Sequence, residues 1–426
     1  MPDGTATAHL YRPKLLTILQ EGYTLESFRR DVLAALTVAI VALPLSMAIA
    51  VASGVTPERG LYTAIVGGFF VSALGGSRFQ IGGPAGAFIV LVAATAAKLG
   101  VEGLLLTVLV SGLMLILVGA LRLGSLIRHI PHAVTVGFTA GIAVTILASQ
   151  LKDLGGLTLH SAEPGHLIPK LVTLSHALPT LNATALAIGC AVAALIFVIR
   201  QFRPTWPGML IAVAIAALAA ALLHLPVATI GTRFGGLPHG LPVPHFPNVS
   251  MALLWQVIPP ALSFTLLGGV ESLLSAKVAD GMTSRKHRSN MELVAQGIAN
   301  VASAIFGGIS VTGTIARTAT NIRAGAKSPL SGMMHSGFVL LFLLVAAPLA
   351  SFIPLSALAG VLVVVCWNMA EKGEFLRLLK NWRGASVLLV TFGLTMIEDL
   401  TTGIVAGCVL AAIFAALRRA VPEEGA

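Results

Sequence analysis

GGISVTGTIARTATNIRAG, residues 307–325, decides how this chain is read. It lies in a strongly apolar sequence, where a membrane-crossing stretch would be expected to form one continuous helix. Instead it opens on two glycines, runs through β-branched residues to Gly313, and only then turns helical, with Arg317 in the first turn or two. Irregular backbone at membrane depth is tolerated only where it lines a cavity or is buried in protein. The stretch therefore reads as extended up to mid-membrane and helical beyond it, with the helix N-terminus aimed at the bilayer centre. QIGGPAGAF, residues 80–88, has the same form. The first interruption comes two apolar segments after segment one, the second two after segment eight, about 230 residues later. Seven segments per half enter the membrane in opposite senses. An inverted repeat with paired broken helices is the sequence pointer to a transporter's central site.

The composition supports a lipid solvent. Of 426 residues, 56% are hydrophobic and 10% charged, with a mean hydropathy of +0.92; a soluble domain carries roughly 25% charged residues. The net charge of +10 does not indicate nucleic acid, because there is no basic stripe with interleaved aromatics. Fourteen apolar segments fall at 32–53, 59–74, 84–99, 102–121, 130–150, 180–200, 207–225, 252–278, 291–306, 313–326, 330–352, 354–370, 384–397 and 400–419. With both termini cytoplasmic, twenty of the 27 Lys and Arg residues fall on the inside, Arg128, Arg418 and Arg419 among them, as the positive-inside rule requires. One segment more or fewer would scramble that asymmetry. Two surface helices are expected, at 25–31 and in EKGEFLRLLKNWRG at 371–384, where Phe375, Leu378, Leu379 and Trp382 share a face. Residues 154–179 and 230–248 read as polar external loops, and His239 and His245 as loop residues rather than metal ligands. Glu398 and Asp399 read as solvated at an outside edge. Cys190, Cys366 and Cys408 lie in apolar runs without disulfide or metal spacing. No nucleophile–base pair or metal cluster suggests an enzyme, and no cofactor is implied.

Two half-helices facing each other make an anion site from backbone alone, because each N-terminus presents free N–H groups and about half a positive charge. Gly82, Gly83 and Gly86 in one half, and Gly307, Gly308 and Gly313 in the other, allow close backbone approach. Thr312 and Thr314 are placed to cap a helix or donate hydroxyls. Arg317 supplies a full charge with a bidentate fork, and its cost in lipid predicts that it faces a wet or anionic cavity. Glu271 is the other intramembrane charge, flanked by apolar residues in segment eight. It pairs with Arg317 or Lys277, binds a cation, or holds a proton. Ser275, four residues on, shares its helix face. In segment one, Pro44 interrupts VALPLSMAIA at 41–50 and frees a carbonyl; the small apolar side chains around it suit a compact substrate with some apolar surface.

ALPLSMAIAVASGVTPERGLYTAIVGG (42–68), QIGGPAGAF, and the long block from Glu271 to Gly332 resemble the sulfate permease, or solute carrier 26, anion transporters. The resemblance extends from about Phe28 onward. It implies an all-α integral membrane protein of fourteen segments in two inverted repeats of seven. Core residues 32–121 and 251–352 carry the site, and gate residues 122–250 and 353–420 face it. Residues 1–31 would form a cytoplasmic N-terminus with an amphipathic helix, and 421–426 a cytoplasmic tail with the family's usual C-terminal STAS domain absent. Carried over by motif, the anion site falls on Leu45, Ile49, Ala85, Gly86, Gly313, Thr314, Ala316 and Arg317, and ion coupling on Glu271 and Ser275. The expected activity is proton-coupled symport of a C4-dicarboxylate such as fumarate in the inner cell membrane. Sodium-coupled bicarbonate or sulfate transport, or an uncoupled channel or exchanger, is the alternative. Same-fold nucleobase carriers would have a carboxylate where this chain has Arg317. The resemblance leaves room for a homodimer.

Overall fold

The computed structural model describes residues 11–124, 131–159, 163–164, 167–204, 206–398 and 400–420. Residues 1–10, Arg128, Asp399 and the expected tail at 421–426 lie outside the described residues, as do the side chains of Arg418 and Arg419. A surface helix α1 (Lys14–Glu21) precedes α2 (Leu25–Ala52), which is segment one. Thr24 caps α2 by accepting from the Ser27 N–H, and Pro44 lies within it. The separate surface helix expected at 25–31 is corrected here: those residues are the opening turns of α2. Asp31 is fully buried, accepting from Tyr23 Oη at 2.6 Å and from the N–H groups of Lys327 and Ser328. The carboxylate is satisfied inside the protein, so the helix has no reason to break there.

Segment two is α3 (Pro57–Tyr62) continued through a π-turn at Thr63–Gly67 into α4 (Gly68–Leu74). Strand β1 (Gly82–Gly83) and a 3-10 turn at Gly86–Phe88 lead into α5 (Ile89–Ala120). Gly100, with φ 69°, breaks α5 and divides segment three from segment four. Then come α6 (His132–Leu154), α7 (Leu167–Ala177), α8 (Ala183–Phe202), α9 (Gly208–Leu222), the short α10 (Ile230–Phe234) and α11 (Met251–Thr283). The stretch at 154–179 thus contains a helix where a loop was expected. Helix α12 (Ser289–Ile305), strand β2 (Thr312–Gly313) and α13 (Ile315–Arg323) form segments nine and ten, followed by α14 (Leu330–Ala350) and α15 (Leu355–Met369). Helix α16 (Lys372–Leu379) is the expected amphipathic connector, and α17 (Trp382–Ile397) and α18 (Leu400–Ala420) close the fold. Seven described helices are long and apolar enough to cross a membrane on length and composition alone. The shorter segments complete the fourteen.

The helices sort by packing. Helix α5 lies along α11 and α12, and α14 against α2 and α4. Gly112 and Gly297 bring α5 and α12 to backbone contact: a Cβ on Gly112 would meet the Gly297 carbonyl oxygen at 2.7 Å. Elsewhere α15 packs on α6 and α8, and α17 on α6 and α18. The first set surrounds the strands.

Candidate functional site

β1 and β2 cross as an antiparallel pair, Gly82 opposite Gly313 and Gly83 opposite Thr312. Every hydrogen-bonding group of an extended segment inside a membrane protein must find a partner, and here buried side chains supply them. Asn300 on α12 donates to the Val311 carbonyl at 2.8 Å and accepts from its N–H at 3.0 Å. The Thr63 hydroxyl accepts from Ile309 N–H, Ser303 donates to the Ile309 carbonyl, and Arg59 donates to the Gly307 carbonyl. On the other strand, Asn321 donates to the Phe79 carbonyl at 2.9 Å, and Thr318 Oγ1 accepts from Ile81 N–H at 3.1 Å. Gln80 Nε2 reaches the Ser272 carbonyl and hydroxyl at 3.1 and 3.2 Å. The interruptions are therefore clamped to α11, α12 and α13, and side-chain volume is scarce. A Cβ on Gly313 would overlap the Gln80 amide, and one on Gly83 would overlap Arg317 Nη1.

Beyond the crossing, Ala85 and Thr314 are the extended residues from which the two helices start. The N–H groups of a first helical turn have no intrahelical acceptor. Leu45, Ile49 and Ala85 are buried, Gly86 is half-buried, and Ala316 is exposed. Gly86 faces the second set of helices: a Cβ there would touch Met369 Sδ at 3.5 Å and Ile146 Cδ1 at 3.9 Å.

Arg317 is not displayed in an open cavity as expected. Only 2% of it is exposed. Its guanidinium folds back behind the crossing, and Nη2 donates to Ser46 Oγ at 3.1 Å and, more weakly, to the Pro84 carbonyl at 3.4 Å. Nε and Nη1 have no partner. The glycine at 83 permits the placement, because a Cβ there would overlap the guanidinium. Thr314 makes no cap bond, and its buried hydroxyl is unpartnered; Thr312 instead donates weakly to the Gly268 carbonyl at 3.4 Å. Buried donors without acceptors are rare in native proteins. An anion at the two helix starts would supply acceptors to them.

Glu271 has a buried, unpartnered Oε2 and no ion pair among the described residues. The pairing with Arg317 or Lys277 weighed from sequence is absent, and Lys277 is exposed. Ser275 turns its hydroxyl to Thr318 Oγ1 at 3.2 Å. Both residues lie on α11, but Ser275 spends its donor on α13.

Several contributing residues were missed in the sequence. Ser46 and the Pro84 carbonyl hold Arg317, and Gln80, Asn300, Thr318 and Asn321 hold the strands. His335 on α14 is fully buried, with both ring nitrogens unpartnered among the described residues. Gln296 and Asn300 carried a signal: two amides four residues apart in an apolar helix need buried partners.

Comparison with known proteins bears on this geometry. Residues 28–392 match the family model described as the sulfate permease family. The chain is 43% identical over 397 residues to YvdB of Bacillus subtilis (strain 168), named provisionally as a sulfate transporter, covering 92% of this chain and 74% of that protein. It is 31% identical over 405 residues to the bicarbonate transporter BicA of Picosynechococcus, covering 90% and 69%. Among solved structures, the transmembrane domain of a cyanobacterial BicA gives a TM-score of 0.79 at 28% identity, covering 91% of this chain and 98% of that one. Murine solute carrier 26 member A9, in an inward-facing state, gives 0.86 at 18% identity over 98% and 73%, a likeness of fold alone.

Proposed function

This chain belongs to the sulfate permease family of anion transporters, and from that premise we propose that it moves a small oxyanion by alternating access, coupled to a proton. The carrying observation is Arg317, a buried guanidinium with two unpartnered nitrogens, set behind the crossing of two strands that each lead into a helix N-terminus. The anion would lie at Ala85, Gly86, Thr314 and Ala316, with Leu45 and Ile49 as its apolar wall. We place the core at residues 32–121 and 251–352 and the gate at 122–250 and 353–420. The clamps on both strands come from the first set, whereas Gly86 meets the second only through Met369 and Ile146. An apolar contact of that kind can slide without breaking hydrogen bonds. Both termini are assigned to the cytoplasmic side of the inner membrane by the distribution of Lys and Arg.

Glu271 is the coupling group in this reading. Glu271 Oε2 is buried without a hydrogen-bond partner among the described residues, and Ser275, the other residue expected to couple, is engaged with Thr318 on α13. A proton needs only the carboxyl. An intramembrane carboxyl marks a functional position by default, and proton relay is one of the roles such groups fill. Bicarbonate and sulfate, the substrates in the names of relatives, stand first as cargo. A C4-dicarboxylate such as fumarate is second, favoured by the apolar wall.

The test is uptake of labelled bicarbonate, sulfate, fumarate and succinate into proteoliposomes, with and without an inward proton gradient and with sodium varied at constant pH. Accumulation of one anion driven by the pH gradient alone is expected. Strict sodium dependence would overturn proton coupling, and uptake of none of the four would overturn the substrate class.

A further inference from the structure

A second cationic site lies on the cytoplasmic side of the proposed core, away from the strand crossing. The ends of α11 and α13 and the turn before β1 enclose a cavity of about 320 Å3, lined by Arg78, Phe79, Thr283, Arg285, Ile322 and Lys327 together with Gly325 and Ala326. Three lining side chains are cationic and none is acidic. Phe79, Ile322 and Ala326 form an apolar floor, which strengthens any charge interaction above it.

Basic residues at inner helix ends are ordinarily solvated and follow from topology. Two observations separate these. First, the Arg78 side chain is nine-tenths buried: Glu21 neutralises one end of its guanidinium at 2.5 Å, and Nε has no partner. Second, Arg285 and Lys327 are not spent on capping or pairing. The last carbonyls of α13 are met by backbone, from Ala324 N–H to Thr320, Gly325 N–H to Ile322 and Ala326 N–H to Asn321. Neither Arg285 nor Lys327 has an ion-pair partner within 4 Å among the described residues. Glu21 is the one carboxylate paired with any of the three.

We propose that this cavity binds the phosphate group of a phosphate ester, with Arg78, Arg285 and Lys327 on the phosphate and Phe79 and Ile322 against the organic part. The Arg285 fork, the part of the Arg78 guanidinium not taken by Glu21, and the Lys327 ammonium match a multivalent tetrahedral oxyanion with several acceptors per atom. The volume exceeds that of the ion, and the floor is apolar, so a bare inorganic ion would leave the site half filled. The same chemistry is offered by an acidic phospholipid headgroup and by a soluble phosphate ester.

The experiment uses the full chain in nanodiscs. In phosphatidylcholine alone, glycerol 3-phosphate is titrated against thermal unfolding, with chloride at matched ionic strength as control. In a second arm, phosphatidylglycerol replaces part of the phosphatidylcholine. The variant carries Arg285→Ala and Lys327→Ala, both outside the transport machinery. Stabilisation by glycerol 3-phosphate, with binding at least about tenfold weaker in the variant, supports the site with a soluble ligand. Stabilisation by phosphatidylglycerol alone, lost in the variant, supports it with a lipid ligand. If neither phosphate source stabilises wild type more than the variant, or if chloride does as well, the proposal is overturned.

Discussion

Two glycines at the crossing, Gly83 and Gly86, are three residues apart and separate two kinds of tolerance. Neither has a positive φ, so alanine fits the backbone at both. At Gly83 the new methyl would overlap Arg317 Nη1 and lie 2.8 Å from Cζ. The guanidinium can yield only by leaving Ser46 and the Pro84 carbonyl, its two partners. Overpacking in a filled site costs about 1–3 kcal/mol, and a hydrogen bond to a charged group is worth about 1.5–3 kcal/mol. Taking about 3 kcal/mol as the net loss gives an anion affinity lower by roughly 100-fold. At Gly86 the methyl makes ordinary contacts with Met369 and Ile146, and the helix-start N–H groups are unchanged. Gly86→Ala should keep half-saturation within about threefold of wild type, since well-placed small changes cost under about 0.5 kcal/mol. The assay is concentration-dependent uptake in proteoliposomes, with thermal unfolding of the purified variants to separate binding from folding. Wild-type half-saturation in Gly83→Ala would refute the idea that Arg317's position makes the site. Equal losses in both variants would refute the assignment of the Gly86 side to a sliding apolar contact.

Arg317→Ala should abolish uptake while the protein still purifies as a folded species, because a charge-assisted contact of about 1.5–3 kcal/mol disappears; normal kinetics would exclude an anion-binding role. Glu271→Gln, a mimic of the protonated acid, should lose concentrative uptake and its pH dependence yet retain substrate-for-substrate exchange. Accumulation with an unchanged pH profile would remove the proton from the mechanism. Near the N-terminus, the Arg78 hydrogen bond holds the Glu21 carboxyl below the usual carboxylate range. A carboxyl lowered on folding adds stability at neutral pH and loses it as pH falls through its folded value. Glu21 is half exposed, so screening keeps the contribution under about 1 kcal/mol. Glu21→Gln should lower the unfolding temperature slightly at pH 7 and progressively less as pH falls through the carboxyl's folded value, and a loss that does not diminish with falling pH would show that the charge is not responsible.

The architecture was readable because lipid imposes it. A chain in hydrocarbon must satisfy its backbone within helices, so fourteen apolar runs and the glycine-led breaks at 82 and 307 could mean little else. What composition could not show was where the charge went. Arg317 in a sequence looks like a side chain reaching into water. In the fold it lies back on Gly83, because that glycine leaves a flat place on the strand and Ser46, 271 residues earlier, offers the hydroxyl. Contacts of that length have no signature in spacing. The same holds for Asp31: Glu26, Ser27, Arg29 and Arg30 before it resembled a surface helix, and its partners at 327 and 328 lie beyond any local pattern. Asn300 falls between the two cases. Its amide could have been suspected from its apolar surroundings, but its task, replacing a strand partner for Val311, follows only from knowing that the extended segment passes beside it. A polar residue inside a membrane helix announces that a partner exists. Which backbone group it serves is decided by the tertiary crossing, and here that crossing is where we place the anion site.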